Sequence, residues 1–139
     1  MPTALTPDTV LNLVLAVALG AIVGIEREIH HKPAGLRTHM LVSLGACLFT
    51  VVSIGFSFDS ARIAAGIVAG IGFIGAGTIW AEKDKVQGIT TAASLWATAA
   101  IGLTTGIGDY PLAIVVTILV LIILSSNSLL KRIGLEKDQ

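Results

Sequence analysis

The chain has 139 residues, 54% hydrophobic and 13% charged, with nine Lys+Arg balancing nine Asp+Glu and a mean hydropathy of +0.88. A soluble domain carries about 25% charged residues, so the surface of a soluble protein this size could not be covered, and the zero net charge excludes a global basic field for nucleic acid. The single cysteine, Cys47, excludes an internal disulfide framework and a Cys-clustered metal site.

Charges fall in clusters, and the clusters mark loops. Five stretches carry no Asp, Glu, Lys or Arg: 10–25, 39–58, 63–81, 89–108 and 111–130. Each is near the ~20 residues that an α-helix needs to cross a bilayer. Period-two alternation, the mark of a membrane barrel, is absent. The expected fold is therefore an all-α integral membrane protein of five transmembrane helices, about 7–26, 38–57, 61–81, 89–107 and 111–132, forming one domain over 1–139.

The first helix starts at the Thr6-Pro7 pair, which places an N-cap before proline in the first turn. No basic n-region or small-residue cleavage site accompanies it, so it is not expected to be a removable signal. Glu26 ends this helix, where a carboxylate needs a cation to offset the dipole. Arg37 and Arg27 are the available partners. His30, His31 and His39 make a weak metal set, because adjacent histidines cannot face one site on a helix. Glu26, Glu28, Glu82 and Asp84 are hard oxygen ligands of the type Mg²⁺ takes, although a solvated loop surface explains them as well.

Pro33 and Gly35 break the chain before the second helix, and Asp59 with Ser60 is expected to cap the third. Asp59 and Arg62 are spaced to pair there. On the third helix Gly66, Gly70 and Gly77 share one face, and Gly72 and Gly75 another, with Ala65, Ala69 and Ala76 near Gly72. Two small faces imply neighbours on two sides, so this helix is expected to be central. The fourth helix bears a hydroxyl stripe, Thr91, Ser94, Thr98 and Thr105, with Gly102 beside it. Such a stripe lines a wet lane or bonds back to its own helix. Trp80 and Tyr110 fit interfacial belts, whereas Trp96 lies deeper. Asp109 and Pro111 punctuate the last hairpin.

The loops 26–37 and 82–88 and the tail from Lys131 hold eight of the nine cations, and the opposite side holds only Arg62. The positive-inside rule then puts the N-terminus outside and the C-terminus in the cytoplasm. No mid-span carboxylate serves a proton relay or cation carrier. No nucleophile–base–orienter set and no Gly-rich phosphate loop is present, so no enzymatic activity and no catalytic residue is expected. The odd number of spans favours self-association as a parallel homodimer, with a membrane-protein partner as an alternative.

Three stretches taken together resemble the bacterial MgtC/SapB membrane family. The first is Gly24-Ile25-Glu26-Arg27-Glu28 followed by Ala34-Gly35-Leu36-Arg37-Thr38-His39. The second is Arg62-Ile63-Ala64-Ala65 leading into Gly70-Ile71-Gly72-Phe73-Ile74-Gly75-Ala76-Gly77, and the third is Gly88-Ile89-Thr90-Thr91-Ala92-Ala93-Ser94-Leu95-Trp96. The resemblance implies a multi-pass protein of the bacterial inner membrane linked to Mg²⁺ homeostasis. It acts there either as a Mg²⁺ transporter or as a regulator of ATP-driven machinery that supports growth at low Mg²⁺. It points to Glu26, Arg37, Arg62, Thr91 and Trp96, with Gly70, Gly72, Gly75 and Gly77, as functional residues. With Ser94 and Thr98 these outline a Gly/Thr-lined path between the third and fourth helices. No cofactor is expected; Mg²⁺ is the expected substrate or ligand, and Glu26 the candidate metal contact. Some relatives carry Asn where Thr90 stands, so a role for that amide does not carry over. Many continue into a C-terminal ACT-like domain, and with the sequence ending at Gln139 any sensing by that domain is expected to be lost.

Overall fold

A computed structural model describes residues 5–55, 60–82 and 85–132. Five helices and one short hairpin follow in chain order: α1 (Pro7–Ile29), α2 (Leu36–Gly55), α3 (Ser60–Ala76), β1 (Trp80–Glu82), β2 (Lys85–Gln87), α4 (Ile89–Gly106) and α5 (Tyr110–Arg132). Stretches Pro7–Ile29 and Leu36–Ile54 are long and apolar enough to cross a membrane, and the architecture is consistent with an all-α membrane protein.

Local chemistry sets the helix ends. Thr6 caps α1 by accepting from the Thr9 N–H at 3.2 Å, with Pro7 in the first turn. The helix closes with two bonds, Lys32 N–H to Arg27 O and His31 N–H to Glu28 O, both 3.0 Å. This is the Schellman pattern, and it puts His31 at φ +50°, a conformation normally left to glycine. The end of α4 repeats the pattern with a glycine: Gly108 N–H meets Thr105 O, Asp109 N–H meets Thr104 O, and Gly108 has φ +84°. Asp109 then caps α5 by accepting from the Leu112 N–H. The expected cap at Asp59 lies outside the described residues.

Helix α4 packs against all four other helices. Leu19, Val23, Ile101, Ala113, Val120 and Leu124 form a core joining α1, α4 and α5. Ala46, Ile71, Leu95 and Ala99 form a second core joining α2, α3 and α4. This enclosure explains how α4 carries the buried hydroxyls of Thr91, Ser94, Thr98 and Thr105, which need not face lipid. Thr98, Thr104 and Thr105 each donate to the carbonyl one turn back, at 2.8 Å.

Two pairs of glycines spaced four apart bring backbones together. A methyl on Gly20 would lie 2.7 Å from His39 O, and one on Gly24 2.7 Å from Leu36 Cα, so α1 rests directly on α2. Further along the same stripe of α2, a methyl on Gly106 would meet Thr50 Cβ at 2.7 Å, and one on Gly102 would run into the Ser43 backbone. Helix α2 is thus gripped by two small-xxx-small faces, the arrangement that favours helix association in lipid.

Two expectations are corrected. The third helix is peripheral: Gly66, Gly70 and Gly72 face open space, and only Gly75 meets a neighbour, Ala92. Among the described residues no helix matches its small faces at Gly66, Gly70 and Gly72, and the close approaches are made by glycines of α1 and α4. This helix also ends at Ala76 rather than near residue 81. Thr78 donates from its hydroxyl and its N–H to Gly75 O, stopping the helix, and the chain enters an exposed antiparallel hairpin pairing Trp80 with Gln87 and Glu82 with Lys85. Gly88, at φ +90°, returns the chain to α4 against Thr78 and Ile79, where no side chain fits.

Candidate functional site

Polar side chains concentrate where α1 ends, α2 begins and α4 begins. Arg27 is buried at 4% exposure, and its Nε stands 2.7 Å from Oε2 of Glu26, itself only 11% exposed. The Nε–H direction misses the hydrogen-bond line, and the hydrogen bond of the pair runs instead from Arg27 Nη2 to Glu26 Oε1 at 3.5 Å. His30 Nδ1 lies 3.1 Å from the other Glu26 oxygen and 2.8 Å from its backbone carbonyl. A charge pair withdrawn from water at the end of an apolar helix is costly to keep, and such groups in membrane helices mark functional sites by default.

Glu28 serves a different purpose. Its Oε2 accepts the Leu36 N–H at 2.9 Å and packs against Gly35. It therefore caps the N-terminus of α2, where a carboxylate is favoured by the helix dipole. Gly35 is required here, because a methyl would occupy the position of the carboxylate.

One turn into α2, His39 is fully buried. Its Nδ1 is 2.9 Å from Gly35 O, which fixes the proton on that nitrogen, and its Nε2 is 3.1 Å from Ser94 Oγ on α4. Ser94 Oγ also lies 2.8 Å from Thr91 O. Ser94 has one proton, so it donates either to Thr91 O or to the neutral imidazole. His39, weighed from sequence only as a weak metal ligand, instead ties α2 to α4. At the opposite end of the bundle, Tyr110 donates to Asn12 Oδ1 at 2.6 Å, and Asn12 Nδ2 donates to Gly106 O at 3.4 Å, joining α1, α4 and α5.

The sequence candidates separate into four places. Glu26 joins Arg27 and His30, so Arg27 rather than Arg37 is its partner. That cation, 2.7 Å from the carboxylate, opposes a divalent ion and argues against Glu26 as a metal ligand. Among the described residues no three His, Cys, Asp or Glu side chains gather into a metal site; Asp84 lies outside them. Thr91, Ser94 and Thr98 are buried, and their row turns to α2 rather than α3, as the His39–Ser94 contact and the Gly102 approach to Ser43 show. The path expected between the third and fourth helices is corrected accordingly: the seam it was assigned to is filled by Ile71, Leu95 and Ala99. Trp96 points outward at 53% exposure, away from the hydroxyl row. Arg37 and Arg62 stand at opposite ends of an apolar groove between α2 and α3, whose walls include Gly70 but not Gly72, Gly75 or Gly77.

Arg27 and His39 enter the sequence reading only as an alternative partner of Glu26 and as a weak metal ligand, and Asn12 and the pairing of Gly20 with Gly24 and of Gly102 with Gly106 do not enter it. The four-residue glycine spacing was the available signal for the latter.

The MgtC family profile matches residues 13–133. The chain belongs to the MgtC family. Among its relatives, protein MgtC of Salmonella typhimurium strain LT2 is 49% identical over 131 residues, covering 94% of this chain and 55% of the relative. The putative magnesium transporter YhiD of Escherichia coli K12 is 44% identical, covering 86% of this chain and 60% of YhiD. Protein SapB of Bacillus subtilis is 38% identical over 127 residues, covering 84% and 55%. The chain thus spans somewhat more than half the length of these relatives. No solved structure matches it.

The shared segment takes in the Glu26–Arg27 pair, the His39–Ser94 contact and both glycine pairs, all of which lie within residues 13–133. Within this MgtC-family segment α4 is the organising helix.

Proposed function

We propose that this chain is a multi-pass protein of the bacterial inner membrane that serves Mg²⁺ homeostasis as a non-enzymatic, non-conducting regulator of another membrane complex. All five helices span, with the basic loops in the cytoplasm. The observation that carries the regulatory reading is the closure of the hydroxyl row. Ser94 and Thr98 spend their protons within the bundle, and Gly102 lets α4 press onto the Ser43 backbone, which closes this row to an ion that keeps several waters. The outer face of α3, with Ala65, Ala69, Gly72 and Phe73 exposed, supports contact with a partner helix.

The second reading is Mg²⁺ transport. The name of the Escherichia coli relative favours it, and it calls for a parallel second copy to enclose a path. Liposomes holding the purified chain and a trapped Mg²⁺ dye separate the two. The regulatory reading expects influx equal to that of empty liposomes, while the chain still supports growth at low Mg²⁺ and Gly72→Leu loses that growth at equal expression. Saturable influx overturns it.

A further inference from the structure

A cavity between α2 and α3 has a volume of about 870 Å³. It runs from Arg37 to Phe49 along α2, about 18 Å at 1.5 Å per residue. Gly45, Gly66 and Gly70 form its floor, and none has an atom within 4 Å of where a side chain would begin. The lining is apolar except at the ends. Arg37 sits at the end next to the α1–α2 loop, and Arg62 at the other.

Three observations identify the occupant. The groove's length matches one leaflet of the hydrocarbon core, about 15 Å. Its volume lies within the roughly 300–1,000 Å³ range of sites for small molecules. Arg37 is exposed and makes no hydrogen bond or ion pair among the described residues. A second copy presenting the same face would bring cation to cation, because neither α2 nor α3 contains a carboxylate. A phospholipid brings the missing charge with the apolar chain. We propose that this groove binds one acyl chain of a membrane phospholipid, with the lipid phosphate paired to the Arg37 guanidinium in the fork geometry that arginine offers to phosphates.

The test is native mass spectrometry of the whole chain in detergent after incubation with dioleoylphosphatidylglycerol. One lipid should stay bound per chain, while dioleoylglycerol (no phosphate) and glycerol phosphate (no chains) should not. Arg37→Gln should reduce retention about tenfold, the loss expected for a charged hydrogen-bonded pair. Gly70→Leu should abolish retention by filling the floor while leaving helicity by circular dichroism unchanged, since the added side chain meets open space. Lys85→Gln, an exposed cation off the groove, should retain lipid as the wild type does. Equal losses for Lys85→Gln and Arg37→Gln would reduce the effect to general charge attraction and overturn the site. Full retention by Gly70→Leu would also overturn it. So would efficient disulfide crosslinking between copies through Gly66→Cys in a Cys47→Ala background in native membranes, because a second copy would then cover the groove.

Discussion

Helices α2 and α3 are both rich in small residues and end up in opposite circumstances. Helix α2 is held by glycines belonging to two neighbours, at close range along Gly20/Gly24 and Gly102/Gly106. Helix α3 holds the densest glycine run in the chain, yet a methyl on Gly66, Gly70 or Gly72 would meet no atom within 4 Å among the described residues. Small residues therefore report two things in this fold. Where two helices supply a matched pair of faces, they weld the bundle. Where the partner face is missing, they leave a surface or a groove for something outside the chain.

The sharpest way to break this comparison is to place one bulky side chain on each region. Gly102→Leu should cost more than about 3 kcal/mol, beyond the usual range for overpacking, because the obstacle is backbone rather than a flexible side chain. Gly72→Leu should stay within about 0.5 kcal/mol of the parent. Thermal unfolding in detergent, followed by circular dichroism, reads both, and equal losses would erase the distinction between the helices.

Next in size is the buried pair on the same α1 face system. Arg27→Ala should cost about 3 kcal/mol by leaving Glu26 without its cation. The double change Arg27→Met with Glu26→Gln should recover most of that loss. A double variant as unstable as the single one would show that packing, not charge, holds the site. Gly88→Ala should cost about 1–2 kcal/mol from its left-handed backbone alone, and more from contact with Thr78. Its effect should fall on the hairpin and α4 start, which hydrogen exchange resolves. The smallest effect has the opposite sign. His31→Gly should raise stability by roughly 0.5–1 kcal/mol, since His31 holds a conformation that glycine adopts freely. An unchanged melting temperature would show that the imidazole compensates for its backbone strain.

Much of the site's raw material was legible in the sequence, but its assembly was not. Glu26, Ser94 and Thr91 were visible as a boundary carboxylate and a hydroxyl stripe. A helical wheel fixes which residues share a face but not which neighbour that face meets. The stripe was therefore assigned to α3, although His39 and Ser43 place α2 opposite it. Arg27 was available beside Arg37 as the partner of Glu26, and the choice depended on how α1 closes into its loop.

By itself, the sequence determined the helical class and the cap at Thr6, because these depend on local hydropathy and on bonds within a few residues. The tertiary structure alone decided which glycines bear contacts, which cation meets Glu26, and that α4 rather than α3 is enclosed. Those outcomes depend on competition among helix faces that look alike in lipid, where only the fit of one backbone against another separates them.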